Sequence, residues 1–234
     1  MAVPIYDTKI SKITEETPNT KTYTIDMPDF SFKAGQFVML IFDLDEETAR
    51  RAYSISSSPL DKGSIDLTIK LEPNGKGGSK KIHTFKEGDQ VQVQGPFGMF
   101  VMEDDVKHAV MLAAGSGIAP FRSMWRYRVA KNLGTTDVLF CATTKERLIF
   151  YDDMKKLTEE NESFNAYFSV TREEPKDWPY GTCRFTIEHI KEHSSNYEDS
   201  TFYLCGSPQF CEGMRNLLLD NGVEKERVKM EKYW

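Results

Sequence analysis

Two hydrophobic rhythms divide this chain. Over roughly the first hundred residues, short β-rich runs recur at about ten-residue intervals, at 5–13, 21–27, 36–42, 51–55, 64–70 and 90–95, with Pro, Asn, Asp and Gly between them. That spacing predicts an antiparallel barrel or sandwich. One short helix is expected over 79–85, with Ser79 as its N-cap. The rhythm changes at the charged stretch 103–107, where the domain boundary is placed, giving domains 1–102 and 103–234. Beyond it, strands at 109–114, 137–143, 166–171, 201–205 and 228–233 alternate with helices at 119–132, 151–160, 186–193 and 209–221. Alternating buried strands and helices predict a doubly wound parallel α/β sheet.

Length and composition narrow the class. The 234 residues are ample for two domains, and hydrophobic residues make up 39% with 12% aromatics. The net charge of −6, from 36 acidic and 30 basic residues, leaves no basic footprint, so no nucleic-acid partner is expected. Residues 1–105 hold 12 Lys and Arg against 17 Asp and Glu, or −5; residues 106–234 hold 18 against 19, or −1. The second half is therefore the better host for an anionic ligand.

The N-terminus lacks a basic segment followed by an apolar one, and the apolar run 109–114 is too short for a membrane span. A cytoplasmic monomer is expected. Cys141, Cys183, Cys205 and Cys211 show neither C-x-x-C nor iron–sulfur spacing and read as free thiols. His189 and His193 stand four apart without a neighbouring Glu or a third ligand, so no metal site is expected.

Two segments carry candidate chemistry. Ala113-Ala114-Gly115-Ser116-Gly117-Ile118-Ala119-Pro120 joins a buried strand to a helix. Gly115 and Gly117 allow a tight turn through which a pyrophosphate can approach the helix N-terminus, and Pro120 suits the first helical turn. A plain strand–helix turn would also favour small residues. In Arg50-Arg51-Ala52-Tyr53-Ser54-Ile55-Ser56-Ser57-Ser58-Pro59, strand alternation puts Arg51, Tyr53 and Ile55 on one face and Ala52 and Ser54 on the other. Arg51 can fork onto a phosphate, and Tyr53 can lie on a conjugated ring. An edge strand with a surface arginine would look the same.

The order of motifs is more specific than any one of them. Arg51-x-Tyr53-Ser54, Gly77-Gly78-Ser79, Gly95-Pro96-Phe97-Gly98, Gly115-x-Gly117-x-x-Pro120 and Cys205-Gly206-Ser207-Pro208 follow one another along the chain. This set resembles the ferredoxin–NADP reductase family from about Tyr6 to Trp234. The resemblance implies a six-stranded antiparallel Greek-key barrel that binds FAD, followed by the α/β nucleotide domain. It implies that Arg51, with the backbone of Gly77, Gly78 and Ser79, meets the flavin pyrophosphate. Ala52, Tyr53, Ile69 and Lys70 would line the flavin, and Ser54 would sit beside N5, where hydride arrives. Cys205 would lie near the nicotinamide carbon that gives up hydride, with Gly206, Ser207 and Pro208 closing over the ring. Glu231 would relay a proton or polarise the site. Tyr233 and Trp234 would pack on FAD, as at the end of bacterial ferredoxin/flavodoxin–NADP reductases. A buried structural cysteine and ordinary aromatic packing are the plainer readings of Cys205 and of the Tyr-Trp end.

The nucleotide is read from charge. Thr143 and Lys145 follow the second strand of the α/β domain, Arg172 follows the third, and Arg184 lies beyond it. These cations favour NADPH, whose 2′-phosphate they can pair, although Glu146 beside Lys145 could serve NADH. The implied reaction passes hydride from the nucleotide to FAD and single electrons to ferredoxin, flavodoxin or a similar carrier. Lys76, Lys80, Lys81 and Lys86, or Arg122, Arg126, Arg128 and Lys131, could steer an acidic partner. The alternatives are an oxygenase reductase component, a reductase of free flavin, ferric chelates or quinone, and a flavin subunit of a larger complex.

Overall fold

A computed structural model describes residues 3–44 and 47–233. The chain forms two compact units, residues 1–102 with 122–127, and residues 103–121 with 128–234. The helical segment 122–127 thus joins the expected first domain in space.

Unit 1 is built on strands β1 (Ile5–Thr17), β2 (Thr20–Met27), β3 (Phe37–Leu44), β4 (Glu47–Ser54), β5 (Gly63–Lys70) and β6 (Gln90–Phe97), with the short helix α1 (Gly78–Ile82) before β6. The six strands run in the order β4-β3-β6-β1-β2-β5, and every neighbouring pair is antiparallel. A bridge between Ile55 and Leu67 joins the two ends of that order. The inner face holds Ile10, Tyr23, Ile25, Val38, Leu40, Leu67 and Val93, all nearly inaccessible. Alternation along the strands turns these residues inward and polar neighbours out.

The α1 region departs from expectation. The N-cap is Gly77, in the left-handed region at φ 87°, and no side chain caps the helix. Ser79 lies inside the helix, and its hydroxyl accepts instead from the Glu72 N–H at 3.0 Å.

Unit 2 contains β7 (His108–Ala114), α2 (Ala119–Lys131), β8 (Thr135–Ala142), α3 (Tyr151–Glu160), β9 (Phe164–Val170), α4 (Ile187–Glu192), β10 (Thr201–Gly206), α5 (Pro208–Asp220) and β11 (Val228–Lys232). Residues 122–127 of α2 group with unit 1. The five strands are all parallel, in the order β11-β10-β7-β8-β9. After β7 the chain proceeds outward through β8 and β9, then crosses to lay β10 on the other side of β7. The direction of winding therefore reverses between β7 and β10, where the carboxyl ends of neighbouring strands open a crevice. Val110, Leu112, Leu139, Phe202 and Leu204 fill the sheet core. No helix among the described residues is long and apolar enough to cross a membrane.

Candidate functional site

In unit 1 the site is assembled at the end of β4. Arg51 and Tyr53 share a face, as alternation requires, and Tyr53 packs on the barrel core. Burial pushes its hydroxyl up to about 12, against the opposing charge of Arg51. Ser54 is buried and pairs with Phe37 on β3. Ala52 points outward and is exposed.

The Arg51 side chain reaches α1. A Cβ added to Gly78 would lie 2.9 Å from Arg51 Nε and 3.2 Å from its Cγ. Two motifs far apart in sequence thus meet, with a guanidinium laid against backbone that any side chain would obstruct. The first N–H groups of a helix have no intrahelical acceptor. Arg51 and those groups form a donor set suited to a pyrophosphate. Ile69, by contrast, is 1% exposed in the barrel core, and its carbonyl faces His83 Nε2 at 3.0 Å. Its side chain therefore faces the barrel core, whereas the neighbouring Lys70 is half-buried at the strand end.

In unit 2 the two glycine turns stand on either side of the β7–β10 switch. Gly115–Ile118 forms a single 3-10 turn after β7, with Gly115 at φ 55°, and Pro120 lies in the first turn of α2. A Cβ on Gly117 would stand 2.3 Å from the Cys205 carbonyl oxygen and 2.7 Å from the Gly206 nitrogen. The turns touch backbone to backbone, which only glycine permits. Ser207 caps α5, its hydroxyl accepting from the Phe210 N–H at 3.3 Å, and Pro208 begins the helix. Two thirteen-residue helices thus start from adjacent strand ends, and their N-terminal N–H groups favour an anion there.

Cys205 is fully buried on β10, opposite Glu231 of β11. Burial first, then the Glu231 charge and Cys211, pushes its thiol well up, while a hydrogen bond with the Tyr233 side chain pulls the other way. The Tyr233 N–H donates to the Gly206 carbonyl at 2.7 Å, and the Cys211 thiol to the Glu231 carbonyl at 3.3 Å. Glu231 and Tyr233 are therefore gathered around Cys205. Trp234 lies outside the described residues.

A separate cleft of about 540 Å³ opens beyond the ends of β8 and β9, lined by Lys145, Glu146, Leu148, Tyr151, Asp152, Glu173 and Pro175. Phe150, buried and left-handed at φ 60°, leads the chain into it at the start of α3. The Tyr151 ring stacks on Trp178 with centroids 5.9 Å apart. Lys145 Nζ stands over the Trp178 ring at 5.8 Å from its centroid, and the Lys145 backbone N–H donates to Glu173. Thr143 lies beside this cleft, its carbonyl accepting from the Arg172 N–H at 2.9 Å. Arg172 and Arg184 are exposed and are not among the cleft's lining residues.

Comparison with known proteins matches this layout. Residues 7–102 match the oxidoreductase FAD-binding domain family and residues 111–216 the oxidoreductase NAD-binding domain family. A ferredoxin NADP+ reductase from Neisseria gonorrhoeae, solved with bound FAD and NADP, superposes with a TM-score of 0.85 at 27% identity, covering 98% of this chain and 99% of that one. The chain belongs to the ferredoxin–NADP reductase-like family.

As a member of that family it is an FAD- and NAD-binding oxidoreductase. The same fold occurs in the FAD/NAD-binding domain of nitric oxide dioxygenase from Vibrio cholerae, with a TM-score of 0.87 at 20% identity, covering 97% of this chain and 98% of that one. Among curated relatives, a subunit of the Na(+)-translocating NADH-quinone reductase of Idiomarina loihiensis is 32% identical over 206 residues, covering 81% of this chain and 50% of the relative. The corresponding Marinomonas protein is 27% identical, covering 94% of this chain and 66% of the relative. The ferredoxin–NADP reductase-like chain therefore spans only about half to two thirds of the length of these relatives.

The cationic surface expected on α2 is overturned. Arg122, Arg126 and Arg128 do not form a free cationic surface. Arg122 pairs with Asp66 at 2.9 Å, Arg126 pairs with Asp61 at 2.7 Å, and Arg128 is fully buried among backbone carbonyls and Thr136. Lys76, Lys80, Lys81 and Lys86 around α1 are exposed, as expected. The cleft residues Tyr151 and Glu173, and Trp178 that stacks on Tyr151, escaped sequence reasoning. Their one signal was an aromatic pair, Trp178 and Tyr180, in an otherwise charged loop.

Proposed function

We propose that this chain carries hydride equivalents from a reduced nicotinamide nucleotide held by unit 2 to an FAD held by unit 1, and releases electrons to a separate carrier. The observation that carries this reading is the meeting of Arg51 with the side-chain-free backbone of Gly78. FAD, when bound, accepts a two-electron hydride and passes electrons on singly.

The chain's own residues bind, orient and shield. Arg51 and the first N–H groups of α1, with Gly77 and Ser79, hold the pyrophosphate. Tyr53, Ala52 and Lys70 border the ring, and the Ser54 hydroxyl hydrogen-bonds at the edge that receives hydride. In unit 2, Gly115, Ser116, Gly117 and Pro120 on one side and Gly206, Ser207 and Pro208 on the other grip the nucleotide's phosphates and nicotinamide. Cys205, small and neutral, lets the nicotinamide approach closely. Tyr233 shields that position through its side-chain hydrogen bond with Cys205 until the nicotinamide arrives. Glu231 holds or moves a proton beside Cys205.

For the electron acceptor, the exposed lysines around α1 support an acidic carrier such as ferredoxin or flavodoxin. A second reading, the electron-input module of a larger complex, is supported by the part-length likeness to NADH-quinone reductase subunits. Lys145, Arg172 and Arg184 support NADPH as the donor, and the likeness to NADH-quinone reductase subunits supports NADH.

Purified protein should be yellow, release FAD on acid treatment and bleach anaerobically with a reduced nicotinamide nucleotide. A protein that neither retains nor regains flavin would refute this function. Titration with ferredoxin, flavodoxin, free flavin, ferric chelate and quinone separates the acceptors, and a complex-bound module would reduce none of them at an appreciable rate.

A further inference from the structure

We infer that Tyr23 and His83 are positioning residues for FAD: they tie the carboxyl end of α1 to the barrel wall, and so hold Gly77 and Gly78, at its other end, against Arg51. The inference rests on the proposed FAD site of unit 1 and deepens it by naming residues that set flavin affinity without touching the pyrophosphate.

A helix of five residues has no stability of its own, and no side chain caps the start of α1. Its place is therefore set by what it touches. Ile82 is fully buried in the barrel core. The Tyr23 hydroxyl, itself buried on β2, donates to the Ile82 carbonyl at 3.0 Å. His83 is the C-cap residue, and its Nε2 lies 3.0 Å from the Ile69 carbonyl of β5. A carbonyl only accepts, so Nε2 carries the hydrogen. The two rings meet edge-on, with centroids 6.3 Å apart. β2 and β5 are themselves paired, Tyr23 opposite Leu67 and Lys21 opposite Ile69, so both ties lead to one ladder.

Ile82 stands about one helical turn from Gly78. Backbone bonds from Lys81 N–H to the Gly77 carbonyl at 2.9 Å, and from His83 N–H to the Ser79 carbonyl at 3.0 Å, make that turn one piece. A displacement at its carboxyl end is carried to its amino end, where the clearance is small: a Cβ on Gly78 would stand 2.9 Å from Arg51 Nε. Without the Tyr23 hydroxyl, the Ile82 carbonyl keeps the Phe85 N–H at 3.0 Å but loses its tie to the barrel. A turn fixed beforehand binds its ligand without first being ordered. A loosened one charges that ordering against affinity, although no group that meets FAD has been removed.

The test is FAD affinity, measured by quenching of flavin fluorescence on protein stripped of flavin, well below its melting transition. Thermal melts of the same flavin-free samples run alongside. Tyr23→Phe keeps the ring and removes the hydroxyl; His83→Leu removes the ring N–H. Each should weaken FAD binding about 3- to 10-fold, the worth of one hydrogen bond. His83→Gln places an N–H near the position of Nε2 and should return affinity to within about twofold of wild type. A contact that merely stabilised the fold would lower the melting temperature and leave the dissociation constant of the still-folded protein unmoved. Tyr23→Phe and His83→Leu proteins that bind FAD as tightly as wild type therefore overturn the inference, whatever their melting temperatures. So does His83→Gln binding as weakly as His83→Leu, which would assign the effect to the ring. Should His83→Leu fail to fold, Tyr23→Phe and His83→Gln decide by the same criteria. A wild type that takes up no FAD refutes the proposed function and the inference with it, whereas tight wild-type binding unmoved in the variants refutes the inference alone.

Discussion

Gly117 abuts Cys205 so closely that a Cβ on the glycine would stand 2.3 Å from the cysteine's carbonyl oxygen. Both partners are backbone, so no side chain can swing aside to relieve the clash. Gly117→Ala must therefore part the turn after β7 from the turn after β10, the two turns proposed to grip the nucleotide. Misplacement by about 1 Å can cost about a hundredfold in rate. The expected outcome is a loss of that order in nucleotide-driven flavin reduction, with a lowered melting temperature. Gly115→Ala is the contrast. Its Cβ would meet open space, but its φ of 55° costs a non-glycine residue about 1 kcal/mol. It should fold less stably while leaving the two turns in contact. Stopped-flow reduction and thermal melts of the two variants decide the matter; a Gly117→Ala protein as active as wild type would show that the close approach has no bearing on the nucleotide.

Arg51 and Gly78 make the corresponding pair in unit 1. Removing a charge-assisted donor costs about 1.5–3 kcal/mol, or about 10- to 150-fold in affinity. Arg51→Ala should therefore be isolated with substoichiometric FAD but an unchanged circular dichroism spectrum. Gly78→Ala should lose flavin too, because its new methyl displaces the guanidinium from a distance of 2.9 Å. Flavin content measured against protein in the same preparation is the check. Full occupancy in both variants would place the pyrophosphate elsewhere.

Much of this was legible in the sequence because it is local. Turn residues at regular spacing mark the barrel strands, and the helix 151–160 is found as expected, at Tyr151–Glu160. Where the reading failed, the deciding partner was remote. Ser79 has the residue type of an N-cap, but the Glu72 N–H claims its hydroxyl while a left-handed Gly77 starts the helix. Arg122 and Arg126 occupy one side of a helix, as solvated cations would, yet Asp66 and Asp61 neutralise them. The acidic cleft draws on the segment after β8, the start of α3 and the loop after β9, so no single window of sequence displays it.

The four cysteines should differ sharply in reactivity. Cys183 is exposed, whereas Cys205 and Cys211 are buried. Burial disfavours the thiolate, the reactive form, and pushes Cys141 up to about 12 and Cys211 up to about 11. A thiol reagent should modify one cysteine quickly in the native protein and all four after denaturation. Cys183→Ser should abolish the fast class, and raising the solution to about pH 9 should reveal no second one. Rapid native labelling of Cys205, identified by peptide mass, would contradict the buried neutral thiol on which its proposed role depends.

Two histidines make stability depend on pH in a defined window. Burial lowers His83 and His193 below the ordinary value of 6.5; the Ile69 carbonyl partly opposes this at His83, and Glu192 partly opposes it at His193. His193 stacks on Tyr167 with centroids 3.6 Å apart, and His83 packs edge-on to Tyr23. Because each imidazole is a weaker base when folded, the unfolded chain binds protons first as the solution is acidified. Their contribution is therefore complete above about pH 6.5 and is lost as pH falls toward the depressed folded values. Glu188 and Glu212 are also lowered, from 4.5, but they act only in more acidic solution. The urea midpoint should accordingly fall between about pH 7.5 and pH 5.5, before carboxylates begin to matter. His193→Phe preserves a ring against Tyr167 while removing the titration, so its midpoint should fall less over the same interval. An identical fall in both proteins would assign the acid sensitivity to other groups.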